Sequence, residues 1–185
     1  LPHEYAISQA AELGVERFLG RLRVRLEEGL RLVQVREPAF SKSELASLAS
    51  KVIRLARPAG ARVLVNRDMA LAREVGADGV HLSALQVAAV SERPALPLVG
   101  ASAHSASELR AAERLGADFA VLGAVRRTPS HPDRPPLGWE GLRDAAHASA
   151  IPVFALGGVD RSDMDTAWAC GAHGVAMVRA AWRGD

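Results

Sequence analysis

The stretch Met69-Ala70-Leu71-Ala72-Arg73-Glu74-Val75-Gly76-Ala77-Asp78-Gly79-Val80-His81-Leu82 packs a helical run, a glycine and a short apolar run into one unit. Alanine and leucine at helical spacing predict an amphipathic helix up to Val75. Gly76 suits the left-handed position that ends such a helix. The run Val80-His81-Leu82 is short and apolar, as a buried strand should be. The unit recurs. Ser107 to Leu115 leads into Gly116-Ala117-Asp118-Phe119-Ala120, and Asp163 to Cys170 leads into Gly171-Ala172-His173-Gly174-Val175. Asp78 and Asp118 read as turn chemistry at the entrance of a strand.

Further short apolar runs complete the series. They are Tyr5-Ala6-Ile7, Leu32-Val33-Gln34-Val35, Val63-Leu64-Val65, Leu98-Val99-Gly100, Ala120-Val121-Leu122, Val153-Phe154-Ala155-Leu156 and Val175-Ala176-Met177-Val178. Helical patterns lie between them, at Glu12–Glu28, Lys42–Arg57, Met69–Val75, Leu85–Ser91, Ser105–Leu115, Glu140–Ala148 and Arg161–Ala169. Strand and helix alternating around eight apolar runs predict an α/β fold, a (β/α)8 TIM barrel in one domain over 1–185. A doubly wound open sheet is the second choice. Little chain follows Arg179, so the last helix is expected to be short or absent.

Composition narrows the function classes. With 49% hydrophobic and 24% charged residues, the chain is neither disordered nor fibrous. Cys170 is the one cysteine, which excludes an internal disulfide and fits a reducing, cytoplasmic setting. No apolar run has the length of a membrane span. Net charge is +2 and aromatics are 4%, with the arginines spread from Arg17 to Arg183, so a nucleic-acid face is not expected. The opening Leu1-Pro2 has no initiator methionine, which predicts processing or excision from a longer chain. Lys42 and Lys51, the only lysines, both fall in a helical pattern, which argues against Schiff-base chemistry on a strand.

In a barrel of this kind chemistry sits at the C-terminal ends of the strands. Gln34, Arg36 and Glu37 follow the second strand, and Asn66, Arg67 and Asp68 the third. Ser102 and His104 follow the fifth, and a loop from Gly123 to Pro132 the sixth. Gly157-Gly158 close the seventh strand, and Arg179 the eighth. This ring is rich in arginine, amides and hydroxyls, which suits an anionic ligand. Adjacent glycines allow close backbone approach, and the loops after the last two strands form the common phosphate site of the fold. His81, inside a strand, reads as a packed, hydrogen-bonded core histidine.

These residues carry a resemblance. Gln34-Val35-Arg36-Glu37, Asn66, Gly76 to Leu82, Gly100-Ala101-Ser102, Gly116 to Phe119, the Thr128-Pro129-Ser130 loop and Ala155-Leu156-Gly157-Gly158-Val159 resemble, in order, the thiamin phosphate synthase / TenI family. The resemblance implies a barrel that joins hydroxymethylpyrimidine diphosphate to thiazole phosphate with Mg²⁺, or, in the TenI branch, aromatises thiazole phosphate by proton transfer. It implies that Gln34 and Arg36 contact the pyrimidine diphosphate, and that Asn66 and Ser102 hold the pyrimidine and its diphosphate. Thr128 and Ser130 would face the thiazole phosphate, with Gly157, Gly158, Val178 and Arg179 as its phosphate cradle.

The departures from the family pattern bear on mechanism. Pro38 replaces a lysine, and Arg67 stands where the family has a magnesium-binding aspartate. Ser83-Ala84-Leu85-Gln86 lacks the second carboxylate, His131 replaces a loop lysine, and Ala124 replaces the TenI histidine. No metal ligand set is therefore assigned, although the family implies Mg²⁺. Arg36, Arg67 and His131 are the candidate catalytic residues, the arginines as an electrostatic clamp and His131 as an acid/base. Three readings stay open: a transferase, a thiazole phosphate tautomerase, and a non-catalytic barrel that binds a small phosphorylated ligand such as thiazole phosphate or thiamin phosphate. Leu1-Pro2 with Tyr5-Ala6-Ile7, Val35 to Pro38, Thr128 to Pro132 and Gly138-Trp139 also resemble the C-terminal barrel of Nudix (MutT-type) hydrolase fusions, which implies a fused N-terminal Nudix domain. The Nudix motif itself is absent from these residues. A homo-oligomer also stays open.

Overall fold

The computed structural model describes residues 1–128 and 135–183. Among them, eight parallel strands close a barrel in sequence order. They are β1 (Glu4–Ile7), β2 (Leu32–Val35), β3 (Arg62–Asn66), β4 (Gly79–Leu82), β5 (Leu98–Ala103), β6 (Phe119–Gly123), β7 (Val153–Leu156) and β8 (Gly174–Met177). Closure is made by β1 pairing with β8, with Tyr5 opposite Ala176. The open-sheet alternative is thereby excluded. Outside lie α1 (Ala10–Leu13), α2 (Val15–Glu27), α3 (Lys42–Ala56), α4 (Met69–Glu74), α5 (Ala84–Ala89), α6 (Ala106–Leu115), α7 (Gly138–His147) and α8 (Met164–Ala169). No helix among the described residues is long and apolar enough to cross a membrane.

The helix ahead of β2 differs from the sequence reading, while the end of the chain agrees with the expectation of a short or absent last helix. The helix expected over Glu12–Glu28 is split at Gly14, whose φ of 82° lies outside helical space. After β8 a single 3-10 turn, Arg179–Trp182, takes the place of a last helix. Trp182 anchors that turn. Its ring packs edge-on against Phe18 at 4.8 Å, and its Nε1 donates to the Ile7 carbonyl at 2.7 Å. Arg25 Nε reaches the Ala181 carbonyl at 3.0 Å, tying the turn to α2.

The repeated Gly-Ala-Asp unit works at the N-terminal ends of the strands. Asp78 N–H donates to the Val63 carbonyl at 2.9 Å, and its carboxylate accepts from Val63 N–H at 2.8 Å. Asp118 does the same with Val99, at 2.8 and 2.7 Å. These aspartates satisfy the edge of the preceding strand, as turn chemistry predicts. They lie at the opposite end of the barrel from Gln34, Arg36, Ser102 and Gly157.

Inside the barrel the packing is aromatic. Tyr5, Phe119 and Phe154 meet with ring centroids 5.2–5.9 Å apart, and His81 lies 5.7 Å from Tyr5 and 6.0 Å from Phe119. Leu32, Leu64, Leu98, Val121 and Ala176 fill the remaining space. Glycines make that filling possible. A Cβ on Gly100 would fall 2.6 Å from Phe119 Cζ and 2.7 Å from His81 Nδ1. On Gly174 it would fall 1.9 Å from the His3 carbonyl oxygen, where only backbone could give way.

Burial, with a smaller push from the Arg36 charge, holds the His81 imidazole down at about 3. The ring is therefore neutral in the folded protein.

Gly174→Ala should cost at least about 3 kcal/mol in urea unfolding, as severe overpacking does. Gly20→Ala, mid-helix with open space around its Cβ, should instead stabilise by up to about 1 kcal/mol. Acid should also act through His81. As pH falls below the ordinary 6.5 of histidine, the unfolded chain gains a proton that the folded ring refuses until about 3. The contribution of His81 is thus complete above 6.5 and is lost toward low pH, by about 1.4 kcal/mol per unit once the unfolded ring is charged. His81→Gln should flatten the stability curve between those limits by that slope.

Candidate functional site

The C-terminal ends of the strands gather the residues singled out by sequence. Gln34 lies inside β2 and is buried, while Arg36, just beyond it, is exposed. Asn66 ends β3 half-buried and Arg67 is exposed. Val35 pairs with Val65, so Arg36 and Arg67 leave neighbouring strands one residue apart in register. Ser102 lies in β5, Thr128 half-buried in the loop after β6, Gly157 and Gly158 after β7, and Val178 and Arg179 after β8. Ser130 and His131 lie outside the described residues.

A side-chain chain runs across the barrel beneath this rim. Gln34 Nε2 donates to Tyr5 Oη at 2.8 Å. Tyr5 Oη lies 3.2 Å from His81 Nδ1, and His81 Nε2 lies 2.9 Å from Ser102 Oγ. Tyr5, Gln34 and His81 are all nearly inaccessible, so each polar atom needs a partner within the protein. Burial pushes the Tyr5 phenol well above its ordinary range, and the Gln34 hydrogen bond only partly opposes this.

The loops are held by structural ion pairs and caps. The buried Glu37 carboxylate accepts from Ser8 Oγ at 2.6 Å and from the Ala10 and Ala11 N–H groups at 2.6 and 3.0 Å. Ser8 Oγ in turn accepts from Arg36 N–H at 2.9 Å. The loop carrying Arg36 is thus clamped to the end of β1. Across the barrel, Arg126 grips Asp163 through two hydrogen bonds of 2.8 and 2.6 Å and donates to the Gly158 carbonyl at 3.1 Å. Its guanidinium lies 5.5 Å from the centre of the Trp139 ring.

The two glycines after β7 have an internal explanation that sequence alone did not supply. Gly157 and Gly158 have φ of 101° and 66°. A Cβ on Gly157 would lie 2.6 Å from Ala124 Cβ, and one on Gly158 would lie 2.8 Å from Arg126 Cβ. The close approach that demands glycine here is between the β6 and β7 loops. Among the described residues neither glycine's N–H finds an acceptor.

Near Asn66 the nearest carboxylate along the chain is Asp68. Arg67, at φ 65°, is the one non-glycine residue with positive φ among the described residues, and it brings a cation to this position. Asp68 caps α4, its Oδ1 accepting from Leu71 N–H at 2.8 Å. Among the described residues no cluster of three or more His, Cys, Asp or Glu side chains could hold a metal. Mg²⁺ wants several oxygen donors, and here one carboxylate is already committed to the backbone.

Tyr5, Ser8, Glu37, Arg126 and Asp163 contribute to the site, and sequence reasoning gave none of them a role. One signal was present. Gln34, two residues after inward-facing Leu32, shares its side of the strand and so breaks the apolar interior with a polar group.

Comparison with known proteins places this geometry. The family described as thiamine monophosphate synthase matches residues 4–181. A protein of Aquifex aeolicus that carries the provisional name thiamine-phosphate synthase 2 is 37% identical over 180 residues, covering 96% of each chain. The thiamine-phosphate synthase of Herpetosiphon aurantiacus is 33% identical over 181 residues, covering 95% of this chain and 86% of its own. Among solved structures, the thiamine phosphate pyrophosphorylase of Pyrococcus furiosus superimposes with a TM-score of 0.78 at 28% identity, over 95% of this chain and 84% of its own. A 3-hexulose-6-phosphate synthase, at 20% identity and a TM-score of 0.68, shares the fold. With the barrel closed in the expected order and the family matched over nearly its whole length, this chain belongs to the thiamine monophosphate synthase / TenI family.

Proposed function

We propose that this barrel, one domain over residues 1–185, binds small phosphorylated ligands and works as a transferase of the thiamin phosphate synthase type. The single observation that carries the reading is the grouping of Gln34, Asn66 and Ser102 at one barrel mouth beside Arg36 and Arg67. The synthase names of relatives aligned over most of their length support the reaction class. In that reaction the bond from the hydroxymethyl carbon to the diphosphate oxygen breaks, the thiazole nitrogen bonds to that carbon, and diphosphate leaves with its charge. Gln34 contacts the pyrimidine diphosphate, and Asn66 and Ser102 hold the pyrimidine and its diphosphate. Arg36 and Arg67 stabilise the charge growing on the leaving group, in place of the carboxylate-bound metal that this donor set does not fit. Thr128 and Ser130 face the thiazole phosphate. Gly157, Gly158, Val178 and Arg179 receive its phosphate, and His131 closes the same loop as an acid/base.

The committed Asp68 carboxylate favours keeping a second reading, in which thiazole phosphate is bound and either tautomerised by His131 or held without reaction. A Nudix domain fused ahead of Leu1 belongs to this proposal as well. It rests on the sequence resemblance, while the family match concerns the barrel.

A coupling assay separates these readings. Product should form in EDTA, and Arg67→Ala should lower the rate by about 10²-fold, the usual effect of losing one charge-stabilising donor. Formation of product only with Mg²⁺ would overturn the arginine clamp. Absence of product with thiazole phosphate still bound would select the second reading, and His131→Gln would then divide tautomerase from binding module. In calorimetry, Arg179→Ala should weaken thiazole phosphate about tenfold, close to 1.4 kcal/mol. Unchanged affinity would remove Arg179 from the cradle.

A further inference from the structure

We propose that Tyr5 and His81 are positioning residues that set the hydrogen-bond polarity of the barrel mouth, so that Gln34 presents a carbonyl acceptor and Ser102 a hydroxyl donor to the ligand. The ligand side of this inference rests on the function proposed above; the polarity itself rests on the buried chain Gln34–Tyr5–His81–Ser102.

The direction follows from counting donors. Gln34 Nε2 donates to Tyr5 Oη at 2.8 Å. Tyr5 is fully buried, and its own proton must still reach an acceptor. Among the described residues the one remaining partner is His81 Nδ1, at 3.2 Å. Nδ1 therefore accepts, and the neutral imidazole carries its proton on Nε2. Nε2–H then donates to Ser102 Oγ at 2.9 Å. Ser102 has used its oxygen as acceptor, and its O–H is directed elsewhere. Gln34 Oε1 has no hydrogen-bond partner among the described residues, and Arg36, two residues on along the same side of the strand, carries a charge that reaches His81 at this mouth and favours an oxygen at the open end of the amide. The reversed chain would place the amide nitrogen toward that cation.

The interior is built around this imidazole. Gly100, its register partner on β5, leaves the space that a Cβ would take 2.7 Å from Nδ1. Burial keeps the ring uncharged, so a proton does not flip the chain near neutral pH. The mouth thus selects a ligand that brings an N–H donor to Gln34 and an acceptor, a ring nitrogen or a diphosphate oxygen, to Ser102. A ligand of opposite polarity would leave both groups unpaired, which is how buried polar sites discriminate.

The test uses the whole chain labelled with ¹⁵N. Long-range ¹H–¹⁵N spectra should show His81 as the single Nε2–H tautomer, unchanged from pH 8 to pH 5. The resonance is assigned by difference against His81→Gln or, if that variant does not fold, against the other histidines replaced singly. Tyr5→Phe keeps the ring packed on Phe119 and Phe154 and removes the hydroxyl. It should shift His81 toward mixed tautomers and weaken hydroxymethylpyrimidine diphosphate about tenfold, while inorganic phosphate binds within twofold of wild type. Adding Tyr5→Phe to Ser102→Ala should weaken the pyrimidine diphosphate further, but by less than Tyr5→Phe does in the wild type, because only the Gln34 arm is then left to lose. An Nδ1–H tautomer in the wild type would overturn the proposal. So would a Tyr5→Phe variant whose His81 spectrum or pyrimidine affinity is unchanged. If the wild type does not bind the pyrimidine diphosphate at all, the transferase reading fails, and the tautomer and its response to Tyr5→Phe decide the polarity by themselves.

Discussion

An eight-stranded barrel leaves an interior that side chains have to fill, and the strands here are four to six residues long. Few inward positions are therefore available. The protein meets this with large rings, Tyr5, His81, Phe119 and Phe154, and Gly100 leaves the space that Phe119 and His81 take. Gly79 and Gly174 instead let neighbouring backbone approach, at Leu98 and His3. Close packing of this kind tolerates little change in volume. It also fixes where the polar atoms of Tyr5 and His81 lie, and through them Gln34 and Ser102.

The same economy explains how the mouth of the barrel is held. Short strands end early, so the loops begin close to the core and need anchors of their own. Glu37 supplies one, gathering Ser8 and the start of α1 around a buried carboxylate. Arg126 supplies another, joining the β6 loop to Asp163 and Gly158. Gly157 and Gly158 let those two loops touch. Rigid support beneath exposed arginines suits a site that must hold its charges in place before a ligand arrives.

At the third strand a strained backbone carries a charged side chain. Arg67 adopts a left-handed conformation that costs an L-residue about 1–2 kcal/mol. Asp68 next to it caps a helix. The rim thereby presents a cation where β3 ends.

The order of strands and helices was legible in the chain because each unit announces itself locally. A helical period, a glycine and a short apolar run need no distant partner to be recognised, and Gly76, Gly116 and Gly171 mark three of these turns. The residues at the strand ends were legible for the same reason, since a barrel places them all on one face. The break at Gly14 was not, because an amphipathic period continues on both sides of it. Nor did sequence reveal the link from Gln34 to Ser102 through Tyr5 and His81. Those four residues sit on strands β2, β5, β1 and β4, and only the closed barrel brings their polar atoms within hydrogen-bond reach. The sequence determined which side chains face inward, by the period of two along each strand. Which of them touch, and which atom donates, was decided by closure of the barrel, because hydrogen bonds between distant strands depend on register and ring placement that no local pattern encodes.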